Sequence, residues 1–271
     1  MRSDVLVNFT PLSTKPVMDL FDIFAFSKIA LAPFVEHMLI FWTLCAVCCG
    51  IDLHYSFQDR LNDIKLQQNQ HIDVDVYKRT ALASLRNQLV VTLPLSIVMM
   101  PLLYWRGCVD AECSGNPFVL LFQFSLIVTW EEFWFYTVHR ILHSPALYRR
   151  FHAQHHTFKS PIAVSAIYAH PFEHLFANLL PVITGPLVFG LCLSILRFWV
   201  VFSTINAILA HCGYNFSNGY HDIHHITNKH NFGVLGWMDY AFDTYKNPLD
   251  IFTPKGFQAV EEQETPKTHA E

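Results

Sequence analysis

The stretch PFVLLFQFSLIVTWEEFWFYTVHRILH, residues 117–143, decides how the chain must fold. It carries no charge until Glu131 and Glu132, and it ends on two histidines spaced His-x3-His. A bilayer core about 30 Å thick takes about 20 apolar helical residues, and Pro117 to Val138 supplies them. Residues four apart share a helix face. The stretch therefore predicts a spanning helix that brings the rings of His139 and His143 together at one end.

Working outward, Phe34 to Leu53 and Gln88 to Trp105 read as two more spans, the second bent by Pro94 and Pro101. A further apolar region, Leu175 to Ala210, is interrupted by Pro181, Gly185, Pro186 and Gly190 and reads as a broken hairpin. The expected class is an all-α integral membrane protein. Three spans plus the hairpin form a four-helix transmembrane bundle, with a cytosolic helical cap holding a histidine-rich dimetal site. Composition agrees, since 52% of the 271 residues are hydrophobic. A formal charge of −4 with scattered Lys and Arg leaves no basic stripe, so nucleic acid is not an expected partner. The first residues lack the basic start and apolar core of a cleaved signal peptide, so insertion must rely on internal segments. We divide the chain into an N-terminal membrane region (1–116), a catalytic domain (117–250) and a polar tail (251–271).

Five basic residues fall in the link 54–87 and four in 139–174, against one in 106–116. By the positive-inside rule the histidine-rich link faces the cytosol. The opposite, lumenal side then holds Asn8-Phe9-Thr10, a glycosylation acceptor spelling, and Cys108 and Cys113, which could pair there. Cys45, Cys48, Cys49 and Cys192 lie in apolar runs and read as small hydrophobes.

Eleven of the 16 histidines lie between residues 139 and 225, where an even spread puts roughly five. FHAQHH (151–156) and YHDIHH (220–225) repeat the spelling His-x-x-His-His. On helices, His152, His155 and His156 would share a face, as would His221, His224 and His225. With His139 and His143 these make eight candidate ligands and catalytic residues. Eight imidazoles exceed one four-coordinate site and offer none of the oxygen donors that calcium or magnesium prefer. Two metals are expected, and imidazole suits iron, copper, zinc or nickel. His211, in AHCGYN, ends an apolar helix on the same side and is a further candidate. His170 and His174, in YAHPFEH, are candidates as ligands or as supports for them. Glu132, seven residues before His139, is expected to orient an imidazole through its other N–H, with Glu131, Glu173, Asp222 and Asp239 as weaker choices. His37, His54, His71, His230 and His269 are left outside the set.

The run WEEFWFYTVHRILHSPALYRRFHAQHH, followed by SAIYAHPFEH, AHCGYNF, YHDIHH and NFGVLGWMDYAFDT, resembles the membrane fatty acid hydroxylase and sterol desaturase superfamily, most of all its C-4 methylsterol oxidases and fatty acid hydroxylase domain-containing proteins. The likeness covers about 130–245. It implies a cytosolic site holding two irons, with the ligands His139, His143, His152, His155, His156, His211, His221, His224 and His225. Some relatives carry a second histidine four residues after His211. This chain has Asn215 there, and in related desaturases an asparagine holds a metal-bound water. The resemblance further implies dioxygen as co-substrate and electrons from NAD(P)H through a reductase and a small b-type cytochrome. The expected activity is hydroxylation of a lipid C–H bond in the endoplasmic reticulum membrane, first of all C-4 methyl oxidation of a sterol. A fatty-acyl, sphingolipid or alkylglycerol hydroxylase is the alternative. Outside the enzyme class stands a metal-binding membrane protein without catalysis. A transporter would hold its ligands near mid-span, whereas these clusters lie beyond the helix ends.

Overall fold

Backbone removed from water must satisfy its hydrogen bonds internally, so apolar sequence of membrane length becomes helix. A computed structural model describes residues 27–54, 65–67, 73–108, 113–214 and 219–252. Five helices in it are long and apolar enough to cross a membrane: α1 (Ser27–Leu53), α2 (Val74–Trp105), α3 (Pro117–Leu142), α4 (Pro171–Phe189) and α5 (Leu193–His211). Among the described residues there is no strand, only an isolated bridge between Lys65 and Tyr214. Asn8, Asn215 and the tail beyond Phe252 lie outside the described residues.

The hairpin resolves into α4 and α5, each of membrane length, so the described residues hold five helices of that length. Its break falls at Gly190, which takes the left-handed conformation with φ 60°. A Cβ there would push on the Arg106 guanidinium, and the positive φ itself favours glycine. Pro181 and Pro186 are instead absorbed within α4, behind a π-helical turn (His174–Leu179) that loosens the backbone ahead of the first ring. Helix α2 starts well before the apolar run, at Val74, where the Asp73 side chain accepts a hydrogen bond from the backbone N–H of Asp75. Its polar half has a structural task. Ser84 donates to the carbonyl of Val164, and Asn87 donates to those of Ile167 and Ala169, which fixes the segment after the second histidine box.

Helix α1 packs along α5, and α3 packs along α4. Trp199 of α5 is fully buried and meets Phe124 of α3 edge-on. At the end remote from the histidines, Cys113 is bonded to Cys192, with Cα atoms 5.4 Å apart. This corrects the expected pairing of Cys108 with Cys113. Cys108 is a free thiol buried among Met99, Met100, Leu103 and Leu196. Cys192, expected to be a small hydrophobe, is the N-cap residue of α5 and meets the 106–116 link there.

Candidate metal centre

Helix α3 ends by placing His139 and His143 one turn apart. A π-helical turn (Tyr148–His152) and a single 3₁₀ turn (His155–Thr157) carry the second box, and α6 (Tyr220–Thr227) carries the third. The rings gather into two groups. His139, His143, His152, His156 and His224 form one; His155, His211, His221 and His225 form the other. Within each group one nitrogen per ring lies within 4.8 Å of all the others.

Each box was expected to aim its rings at one point, and the structure corrects that. In both boxes the i, i+4 pair enters one group and the third histidine enters the other. His152 and His156 join the first group with His155 in the second. His221 and His225 join the second group with His224 in the first. Adjacent helical residues diverge by about 100°, so neighbouring histidines can serve two centres. The two boxes therefore interlock.

A backbone carbonyl can only accept, so the ring nitrogen facing it carries the proton. His139 Nδ1 donates to Phe232 O at 2.7 Å, His224 Nδ1 to His230 O at 2.8 Å, and His211 Nδ1 to Ala207 O at 2.8 Å. His152 Nδ1 lies 2.9 Å from a carboxylate oxygen of Glu173. In a neutral ring the other nitrogen is then a bare lone pair. Yet His139 Nε2 sits 3.1 Å from His152 Nε2, and His224 Nε2 sits 3.0 Å from His143 Nε2. In the second group His225 buries both ring nitrogens, and His221 its Nε2, without a hydrogen-bond partner. Ring nitrogens crowded together, several of them unpaired, fit a shared cation.

The rings are held neutral. Burial, and after it the neighbouring imidazoles, pulls His152, His156, His221, His224 and His225 well below the ordinary histidine value. Burial likewise brings His143 down to about 2, with His139 adding to the effect. Neutral imidazole is the form that binds metal. Neither group contains a cysteine or carboxylate. The donor set thus suits two transition-metal ions, and iron is among those it accepts.

Glu132 does not touch a ring, contrary to expectation. Its Oε2 accepts the backbone N–H groups of Val234 and Leu235 at 2.7 Å each, and Oε1 accepts those of Gly236 and Met238. Asp239 takes the N–H groups of Phe232 and Gly233. The two carboxylates clamp the loop whose Phe232 carbonyl fixes His139. Gly233 lies between them, and a Cβ there would fall 2.5 Å from Glu132 Oε1. The carbonyls of His230 and Phe232 were not foreseen, and Gly233 and Gly236 were the only signal that backbone comes close here. Asp222 is buried without a partner, and burial raises its carboxyl to about 8. His170 lies in neither group; its Nδ1 accepts the N–H of Phe172 as the helix cap of α4. His174 also lies outside both and meets Thr92 Oγ1 at 2.9 Å.

A cavity of about 590 Å³ opens from His139, His155, His211 and His221 down into the bundle, reaching Ile29, Leu103 and Leu196. That volume lies within the range of small-molecule sites, about 300–1,000 Å³.

The profile of the fatty acid hydroxylase family matches residues 124–244. Fatty acid hydroxylase domain-containing protein 2 of Homo sapiens is 33% identical over 213 residues, 76% of this chain and 63% of that protein. Methylsterol monooxygenase 2-2 of Arabidopsis thaliana is 36% identical over 188 residues, 61% of this chain and 68% of that protein. Very-long-chain aldehyde decarbonylase GL1-11 of Oryza sativa subsp. indica is 30% identical over 173 residues, 58% and 65% respectively. The chain thus spans a little under two thirds of the human relative's length. No solved structure matches it. With the interlocked histidine boxes, these likenesses place the chain in the fatty acid hydroxylase family.

Proposed function

We propose that the two groups hold two irons and that the protein, through its 117–250 region, is a dioxygen-dependent monooxygenase hydroxylating a C–H bond of a membrane lipid. One observation carries this: imidazole-only groups sharing interlocked boxes stand at the head of an apolar cavity. Iron bound there would supply the oxidising power that an unactivated C–H bond demands. The chain's own part is to hold nine neutral rings, to orient three of those in the first group through Phe232 O, His230 O and Glu173, and to present the lipid from the cavity. Electrons would come from NAD(P)H through a reductase and a b-type cytochrome, and we place the enzyme in the endoplasmic reticulum with the histidines toward the cytosol. The Arabidopsis relative's name, methylsterol monooxygenase, makes a methylsterol the first candidate substrate, and the C-4 methyl group is the position we propose. A second reading, hydroxylation of an acyl chain, sphingolipid or alkylglycerol, is favoured by polar side chains deep in the cavity.

Metal analysis and lipid profiling on loss of the gene test the proposal together. About two irons per chain are expected, with raised 4-methylsterols for the first reading or unhydroxylated lipids for the second. Bound iron with every lipid pool unchanged would leave a metal-binding protein without catalysis.

A further inference from the structure

The cavity is lined by polar side chains that the histidine groups do not use: His37, Thr92, Glu131, His174, Ser203 and Asn206. Each lies ten to fifteen residues from the end of its helix that is remote from the metal centre. At 1.5 Å per residue they form a belt at one depth, about 15–22 Å from that end. Some are accounted for as links between helices, which is the ordinary task of polar residues inside a bundle. His37 Nδ1 sits 2.8 Å from Thr204 Oγ1, and His174 pairs with Thr92.

Glu131 and Ser203 are different. Among the described residues the Glu131 carboxyl makes no hydrogen bond or ion pair, and Ser203 Oγ is buried without a partner. The packing sets them within about one helical turn of each other. Phe124 of α3 packs against Phe198, Trp199 and Phe202 of α5, and both helices run toward the histidines. Glu131 lies seven residues beyond Phe124, and Asn206 lies seven beyond Trp199, with Ser203 one turn below it. An ionisable group at such a depth is costly unless something pairs with it.

We propose that Glu131, assisted by Ser203 across the cavity, anchors a hydrogen-bond-donating group, a hydroxyl or an amide, carried by the lipid substrate. The proposal rests on the oxygenase reading of the same cavity and narrows its substrate class. Eight residues separate Glu131 from His139 and Ser203 from His211, so the anchored group lies about 12 Å from the metal end. The substrate is an amphiphile whose polar group is about that far from the oxidised carbon. A 4-methylsterol, with its oxygen beside the methyl group, leaves Glu131 unmatched.

The test is equilibrium binding of octadecan-1-ol and of octadecane, each delivered in mixed micelles, to the metal-loaded full chain. The wild type is expected to bind the alcohol about tenfold tighter or more, the worth of one hydrogen bond to a carboxylate. In Glu131→Leu the ratio is expected to fall to within about threefold of unity, and in Ser203→Ala, a milder change, to fall about threefold, with metal content preserved in both. An unaltered ratio in both variants, or equal binding of the two probes by the wild type, overturns the proposal. Failure of the oxygenase reading shows separately, as absent iron or absent lipid product in the wild type, and leaves the binding ratio readable.

Discussion

The two histidine groups are made of the same ring but differ in what stands around them. In the first, His139 and His224 donate from Nδ1 to the fixed carbonyls Phe232 O and His230 O, and His152 Nδ1 lies 2.9 Å from the Glu173 carboxylate without a formed hydrogen bond. In the second, His211 reaches only a carbonyl of its own helix, and His221 and His225 keep buried ring nitrogens unpaired. Access is reversed. His155, His211 and His221 of the second group line the cavity, whereas His139 alone of the first does so. The first group is oriented from behind, and the second is turned toward the lipid.

Removing one ring from each group should give the largest effect and test the division itself. His224→Ala is expected to abolish product formation and strip the first ion, and His225→Ala to strip the second while the first remains. Elemental analysis of each purified variant reads this directly, and two ions retained in either would merge the groups into something other than two centres. Next in size is Glu173→Gln, which weakens the acceptor behind His152. Loss of such an acceptor costs roughly 10–100-fold in metal affinity, measured by chelator competition. An unchanged affinity would remove the orienting role from the first group.

Smaller is Gly233→Ala, whose Cβ would press on Glu132 Oε1 and on Asp239 Oδ2, 2.9 Å away. Forcing the clamped loop apart should cost about 1–3 kcal/mol through lost hydrogen bonds to the carboxylates, seen as a lower melting temperature in detergent. The gentlest probe is pH on the metal-free protein. The unfolded chain takes up protons on its histidines below about pH 6.5, while burial holds the folded rings below that value. Across the rings the unfolded state then binds more protons than the raised Asp222 carboxyl returns to the folded state, so stability falls on acidification. Melting between pH 7.5 and 5.5 checks the sign, and a rise toward acid would show that the rings are not held neutral.

The spans and the ligand types were legible because both are one-dimensional signals, a run of apolar residues and a repeated spacing. The partition of the ligands was not. His155 and His156 are neighbours in sequence, and a reader of spacing places them on one face, but the turn geometry at 148–157 sends them to different groups. Glu132 shows a second limit. Its helical register with His139 suggested contact with that ring, yet its oxygens serve backbone N–H groups about a hundred residues away. Main-chain donors and acceptors look alike at every position, so a chain of support running from Glu132 through a loop to Phe232 O leaves only Gly233 and Gly236 as marks in residue identity.

The bond between Cys113 and Cys192 bears on which compartment each end inhabits. Such bonds persist where the surroundings are oxidising and are rare where glutathione keeps thiols reduced. The bond is at the pole opposite the imidazoles, where Cys108 stays a buried free thiol, while near the other pole the thiols of Cys45 and Cys212 are free. This asymmetry supports the proposed orientation, in which the metal-bearing pole would face a reducing compartment and the bundle would separate two redox environments.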